Sequence, residues 1–295
     1  MIIALTGASG SIGRELIPFL SSLGFKVITI SSSSPPNGKS VFSYDDLKKN
    51  NIHFKVHLVI HLASNNSNLD VSKIANELQL TKTILKAMPN LQCNNLIFFS
   101  TAKVYGDNSE KQRVFNEQSP LNPCCAYSKA KKLCEEHVIT QSDKESYSSV
   151  ILRLPPVLNQ SQSSNIGKLI SFAQKGIPLI SLSQGASNKR SFISMNNIQT
   201  IIEALLKIKE RHAGTEIYNL ADDEYISLNK LIGFKNQKRI FTLPKYISRF
   251  IFNIPFLNNT LLKLYGNFML DNKKLKSHMN VKLTTTIESV SMLYK

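Results

Sequence analysis

Tyr127 and Lys131 stand four residues apart in the stretch YSKAK, so a helical backbone puts a phenol and an ammonium on one face. Such a pair can move a proton. A phenol titrates near pH 10 and is a poor base at neutral pH, but a neighbouring ammonium favours the phenolate. Spacing alone does not select this pair, because YDDLK repeats it at Tyr44 and Lys48. Pro123 and the alanines at 126 and 130 suit a helix that begins near the first pair and packs closely.

The second constellation is TGASGSIG at 6–13. Gly7, Gly10 and Gly13 permit a tight turn, close backbone approach to a pyrophosphate and tight helix–strand contact. The backbone of Ser9, Ser11 and Ile12 then supplies N–H groups at a helix N-terminus. This is the pattern of a dinucleotide site. An acid about 20 residues further on would select NAD by holding the ribose 2′-hydroxyl. The second strand instead ends VITISSSS, with Ser31 first among four serines. Hydroxyls with Arg14 or Lys39 nearby suit a 2′-phosphate, so the expected cofactor is NAD or NADP, with the lean toward NADP. Asp46 and Leu47 are candidates for the adenine side.

These groups need a frame. Apolar β-branched runs fall at IIAL (2–5), VITI (27–30), HLVIHLA (57–63), LIFFS (96–100) and SVILRL (149–154). Helix-period segments separate them: Ile12, Leu16, Leu20 and Leu23, then Val71, Ile74, Leu78, Thr81 and Leu85. The alternation predicts a Rossmann-type, doubly wound parallel α/β sheet over 1–157. Beyond Pro155 and Pro156 the rhythm changes, and 158–295 is expected to form a smaller mixed α/β substrate lobe. A helix at 196–208 and a strand at 216–221 return to the sheet, so 192–221 is expected to pack back on the first domain.

The bulk numbers narrow the classes. The chain has 295 residues and a net charge of +16, with cations spread along its length and no arginine-rich block. That excludes a dedicated nucleic-acid surface and leaves a basic exterior. Cys93, Cys124, Cys125 and Cys134 match no zinc spacing, so free thiols and no metal are expected. MIIAL runs directly into the glycine turn without a signal-like segment, and no apolar run reaches membrane-span length. A cytoplasmic location is expected.

Taken in order, TGASGSIG (6–13), HLA (61–63), FFSTAKVYG (98–106), YSKAK (127–131), LRLPPV (152–157) and RSFISMNNI (190–198) resemble the extended short-chain dehydrogenase/reductases of the NAD-dependent epimerase/dehydratase type. The resemblance implies Thr101, Tyr127 and Lys131 as the catalytic set, with Lys131 also holding the nicotinamide ribose. Tyr44 and Lys48 fall before the fourth strand and outside that arrangement. It further implies Leu62, Ala63 and Leu154 on the cofactor wall. For the substrate it implies Thr101 on the reacting oxygen, and Asn165, Arg190 and, more loosely, Lys263 toward a diphosphate. A homodimer is also implied.

Related 4,6-dehydratases follow the threonine with Asp-Glu, whereas here Ala102 and Lys103 occupy those positions. Alanine cannot transfer a proton, which leaves redox or epimerisation chemistry at C4 of a nucleotide-diphosphate sugar: a UDP-N-acetylhexosamine or a 4-keto-6-deoxy sugar. The tail resembles the branch that holds UDP-N-acetylquinovosamine 4-keto reductases and relatives acting on polyprenyl-diphosphate-linked sugars, in surface polysaccharide assembly. A non-catalytic dinucleotide-binding regulator is the remaining alternative. Lys245, Arg249 and Lys263 lie among YISRFIFNIPFLNNTLLKLYG. Membrane contact there is one reading, and closure of the substrate lobe by these helices is the favoured one.

Overall fold

The β-branched runs of the first half pair into one sheet, in a computed structural model that describes residues 1–31, 40–49, 51–52, 54–64, 71–158, 168, 170–172, 175, 177, 179–208, 212–234 and 240–293. The chain divides into two compact units. One comprises Met1–Gly106, Pro120–Arg153 and Glu203–Tyr218; the other comprises Asp107–Ser119, Leu154–Ile202 and Asn219–Lys295.

The first unit is built on seven strands: β1 (Ile2–Thr6), β2 (Lys26–Ser31), β3 (Val41–Ser43), β4 (Leu58–His61), β5 (Asn95–Thr101), β6 (Ser148–Leu154) and β7 (Gly214–Asn219). They form a parallel sheet in the order β7-β6-β5-β4-β1-β2-β3. The chain first runs outward from β1 through β2 to β3, then returns to β4 on the other side of β1. That reversal is the topological switch where such sheets bind ligands. Register pairs Thr6 of β1 with Ile30 of β2 and with His61 of β4, so the three strands finish level.

Helices cover both faces, which is why the strands read as unbroken apolar runs. On one face, Ala4, Ile28, Ile30, Val59 and Phe98 pack with Tyr44 and Leu47 of α2 (Tyr44–Lys48), Ile84 and Leu85 of α3 (Val71–Ala87), and Cys134 and Val138 of α4 (Ala126–Glu145). Ile3 and Leu5 alternate to the other face and are equally buried, as are Leu16 and Leu20 of α1 (Ser11–Ser22). Gly24 takes φ +86° and ends α1, with Phe25 N–H returning to Leu20 O at 3.1 Å.

The second unit holds short parallel ladders: Val157–Leu158 with Ile193–Ser194, Leu179–Ser181 with Ile240–Thr242, and Val114–Phe115 with Met269–Leu270. The last of these draws Asp107–Ser119, which the sequence rhythm keeps with the first lobe, into the second unit. The return to the first unit begins at Glu203 and ends at Tyr218, inside the span 192–221. Leu158, Ile170, Phe192, Ile226, Leu228, Leu231 and Val290 form its core. Buried Asp222 accepts Ser194 N–H at 2.9 Å and Asn197 Nδ2 at 2.7 Å, which fixes the SMNNI turn. Among the described residues no helix is long and apolar enough to cross a membrane.

Candidate active site

The glycine turn closes onto the end of β4. Gly7 has φ +73°, and a Cβ there would stand 2.7 Å from Ala63 N. A Cβ on Gly13 would stand 2.4 Å from Gly7 O. Both positions therefore require glycine. Thr6 Oγ1 accepts the N–H groups of Leu62 and Ala63 at 3.1 and 3.0 Å, which seats HLA beside the turn. The α1 N-terminus carries no side-chain cap and no acid in its first turn. Its N–H groups and partial positive charge remain for an anion. A cradle that a single Cβ would fill, opening on an uncapped helix, fits a dinucleotide pyrophosphate. Ser9, Ser11 and Ile12 line the same turn, the two serines exposed and Ile12 half-buried.

Tyr127 and Lys131 belong to α4, whose start is fixed by a capping box: Cys125 N–H donates to Ser128 Oγ at 3.2 Å, and that hydroxyl donates to Cys125 O at 3.0 Å. The Lys131 ammonium is 1% exposed. It donates to Phe99 O at 3.1 Å, stands 4.8 Å from the Phe98 ring centroid, and pairs with Glu77 Oε1 of α3 at 2.8 Å. Burial works against its charge, but Glu77 and Tyr127 outweigh that and hold it above the usual lysine range. Among the described residues, the Phe99 carbonyl and Glu77 engage two of its three N–H groups.

The Tyr127 phenol lies beside Ser64, Thr101 and this ion pair. Burial pushes it above its ordinary value; Lys131 pulls it down, Glu77 pushes it up, and the Ser64 and Thr101 hydroxyls pull it down. Burial wins. It outweighs the lowering by Lys131, and Glu77 adds to the rise, so the side chain rests as a neutral phenol, a proton donor. Ser64 follows HLA directly, which links the phenol to the glycine turn. Thr101, at the end of β5, is 7% exposed and accepts Lys103 N–H at 3.3 Å.

A second buried ion pair supports these groups from behind. Arg153 of β6 donates to Glu135 of α4 through Nε at 3.1 and 3.2 Å and through a terminal nitrogen at 2.6 Å, and its other terminal nitrogen donates to the Tyr105 hydroxyl at 2.9 Å. Ser100, next to Thr101, donates to the same carboxylate. Glu135 lies one turn beyond Lys131, so the network locks the catalytic helix to the strand that carries Thr101. Under the glycine turn, His61 contacts the Thr6 hydroxyl at 2.7 Å and that of Thr81 at 3.1 Å. Thr6 Oγ1 already accepts two N–H groups, so it donates to His61 Nδ1 and the ring proton lies on Nε2. Burial, with Lys131 adding to it, takes this histidine down to about 3, and it is a neutral structural link.

The other sequence-predicted residues have varied placements. Ser31 ends β2, and Lys39 lies outside the described residues, as do the serines after Ser31. Asp46 is committed to capping α2: it accepts Ser43 N–H and Oγ, each at 2.7 Å. Leu47 packs into the core. The rival pair comes apart there. Burial takes the Tyr44 phenol up to about 12, while Lys48 is exposed and bonds Asp45 at 3.0 Å. Leu154 is buried at the end of β6.

In the second unit Arg190 is buried, and burial lowers it to about 10. One terminal nitrogen donates to the carbonyls of Lys263 and Leu264 at 3.1 and 2.9 Å, capping the helix Pro255–Tyr265, and Nε has no partner. Among the described residues no carboxylate pairs with it. The Lys263 side chain is exposed, and Asn165 lies outside the described residues.

Glu77 and Glu135 lie in none of the sequence motifs, and Tyr105 and Arg153 lie inside FFSTAKVYG and LRLPPV without a role assigned to them. Two left a signal. Glu77 is an acid three residues past Ile74 and seven before Ile84, on the apolar stripe of its helix, and Arg153 is a charge inside an apolar strand.

The model of the NAD dependent epimerase/dehydratase family matches residues 3–221. The N-acetyl-alpha-D-glucosaminyl-diphospho-ditrans,octacis-undecaprenol 4-epimerase of Escherichia coli O157:H7 is 27% identical over 168 residues, 56% of this chain and 49% of that protein. The chain thus matches about half the length of this curated relative. The crystal structure of UDP-N-acetylglucosamine 4-epimerase from Bacillus cereus superposes with a TM-score of 0.77 at 19% identity, covering 99% of this chain and 98% of that one. UDP-glucuronic acid 4-epimerase from the same organism, in complex with NAD, gives 0.75 at 19% identity, with 98% and 94% covered. At these identities the structural likenesses speak for the fold.

Proposed function

Because this chain belongs to the NAD dependent epimerase/dehydratase family, with residues 3–221 matched, we propose that it epimerises C4 of a diphosphate-activated sugar, in surface polysaccharide assembly. The observation that carries this reading is the convergence of Thr101, Tyr127 and the Lys131 ammonium beside a glycine cradle. Gly7, Gly10 and Gly13 with the α1 N-terminus would hold the cofactor pyrophosphate, with Leu62 and Ala63 beside it and Lys131 available for a ribose hydroxyl. When bound, the nicotinamide would supply reversible hydride exchange with the sugar carbon. Thr101 orients the sugar hydroxyl. Tyr127 must first lose its own proton; as the phenolate, Oη takes the sugar hydroxyl proton while hydride leaves the carbon, and gives it back on the return, with Lys131 favouring the phenolate and burial and Glu77 opposing it. Arg190, buried with no carboxylate partner among the described residues and an unpartnered Nε, suits the substrate diphosphate.

NAD is the favoured cofactor, because the matching family is described as NAD dependent and a similar structure carries NAD. The substrate is a UDP-N-acetylhexosamine; a polyprenyl-diphosphate-linked sugar is the second reading, favoured by the name of the curated relative. A homodimer is part of the proposal, checked by sedimentation. Incubation with UDP-N-acetylglucosamine or its lipid-linked counterpart and NAD should interconvert C4 isomers, seen by NMR, without net cofactor reduction. Steady oxidation of NADH by a 4-keto sugar would instead make it a reductase. Tyr127→Phe should lower kcat by about 100-fold to 10,000-fold with NAD affinity retained; a fully active variant overturns the assignment.

A further inference from the structure

The second unit exposes large apolar side chains that folding leaves uncovered. Ile180, Phe241, Tyr246, Phe250 and Phe256 are between 63% and 81% exposed. They belong to one connected piece of structure. Phe241 and Ile180 are register partners on the ladder Leu179–Ser181 with Ile240–Thr242, so their side chains share one face. The ladder leads into the helix Lys245–Phe252 through Leu243 N–H to Ser181 O at 2.9 Å, and Ser183 N–H donates to Ser248 Oγ at 2.9 Å. That helix buries Ser248 and Phe252, one turn apart, and exposes Tyr246 and Phe250, also one turn apart, beside exposed Lys245 and Arg249. Phe256 opens the next helix, which is tied back by Asn258 Nδ2 to Phe252 O at 3.0 Å. Helices that merely closed the substrate lobe would bury these rings.

Charge separates the candidate partners. From Tyr225 to Leu270 the sequence has no Asp or Glu, against seven Lys or Arg. A second copy docked by this face in a two-fold dimer would bring two copies of the same cationic patch together, with no acid from 225–270 on either side to offset Lys245 and Arg249. An anionic lipid surface is complementary. Its headgroups take the cations, and protruding rings enter the acyl boundary without needing a shaped partner. We propose that this face docks the protein peripherally on anionic bilayers. The inference does not depend on which sugar the catalytic site takes, although a docked enzyme would meet lipid-linked sugars directly.

The test is co-sedimentation of the full-length protein with vesicles of phosphatidylglycerol and phosphatidylcholine in equal parts, against phosphatidylcholine alone. Binding should require the anionic lipid. Loss of a cation weakens binding by about fivefold, so Lys245→Gln/Arg249→Gln should weaken it roughly thirtyfold. Tyr246→Ser/Phe250→Ser should also reduce it, with unchanged circular dichroism because both rings are already exposed. No binding to the anionic vesicles overturns the proposal. So does binding that neither double variant weakens, and so does a soluble dimer that Tyr246→Ser/Phe250→Ser dissociates.

Discussion

Burial holds Tyr127 protonated, and the buried pair Glu77–Lys131 adjusts that balance in both directions. Glu77 stands 2.8 Å from Lys131 inside a site where both are nearly inaccessible, so it keeps the lysine charged and blunts the field that reaches the phenol. A stronger ammonium would favour phenolate and a stronger base; a shielded one keeps Tyr127 protonated until chemistry requires otherwise. Glu77→Gln tests this directly. Provided Lys131 keeps its charge, the amide keeps the shape and removes the charge that raises the phenol, so the Tyr127 pKa should fall; if the lysine loses its proton with its partner, the phenol should rise instead. If activity requires the phenolate, the rising limb of kcat/KM against pH moves with it, to lower pH in the first case. An unchanged limb would mean that Glu77 only holds the helices together. Breaking a buried pair also leaves an uncompensated charge, which costs about 3 to 5 kcal/mol. Urea denaturation should register that loss separately from the pH profile.

At the scale of elements, the site is a consequence of where strands stop. β1, β2 and β4 finish level, and the glycine turn folds over that edge onto Leu62 and Ala63. Gly13→Ala should break this joint. A Cβ 2.4 Å from a backbone oxygen cannot be relieved by a side-chain rotation, so the turn must shift, at a cost of about 1 to 3 kcal/mol. Calorimetry should show NAD binding lost while circular dichroism persists; retained affinity would mean that the pyrophosphate does not sit on this turn. Much of this arrangement was legible in sequence. Short apolar β-branched runs gave β1, β2, β4, β5 and β6, period-3.6 segments gave α1 and α3 between them, and the motif order separated Tyr127 from Tyr44. Val41–Ser43 and Tyr44–Lys48 escaped notice because three- and five-residue elements leave almost no periodicity. The ion pairs escaped for another reason. Glu77 to Lys131 and Glu135 to Arg153 depend on which helix faces which, a tertiary fact that spacing does not encode.

The whole molecule carries a net charge of +16, and its longest acid-free stretches, 146–202 and 225–270, both fall largely in the second unit. The sequence has no arginine-rich block, and its net charge is that of a strongly positive particle. A nucleotide-diphosphate sugar is an anion, and such a field raises its local concentration before any contact forms. Salt should expose this. Raising NaCl from about 20 mM to about 300 mM shortens the screening length from about 20 Å to about 6 Å, less than the dimensions of the protein. Capture of the substrate should weaken about tenfold, read as a fall in kcat/KM. The turnover step should not follow, since Lys131, Glu77 and Tyr127 interact at short range inside a buried site that bulk ions screen little. The expected result is therefore a rise in KM with kcat held, reproduced with sodium acetate so that chloride occupancy of the diphosphate site is not the cause. A kcat/KM that is flat with salt would mean that the positive charge serves something other than substrate capture, and would leave the lipid-facing surface as its main use.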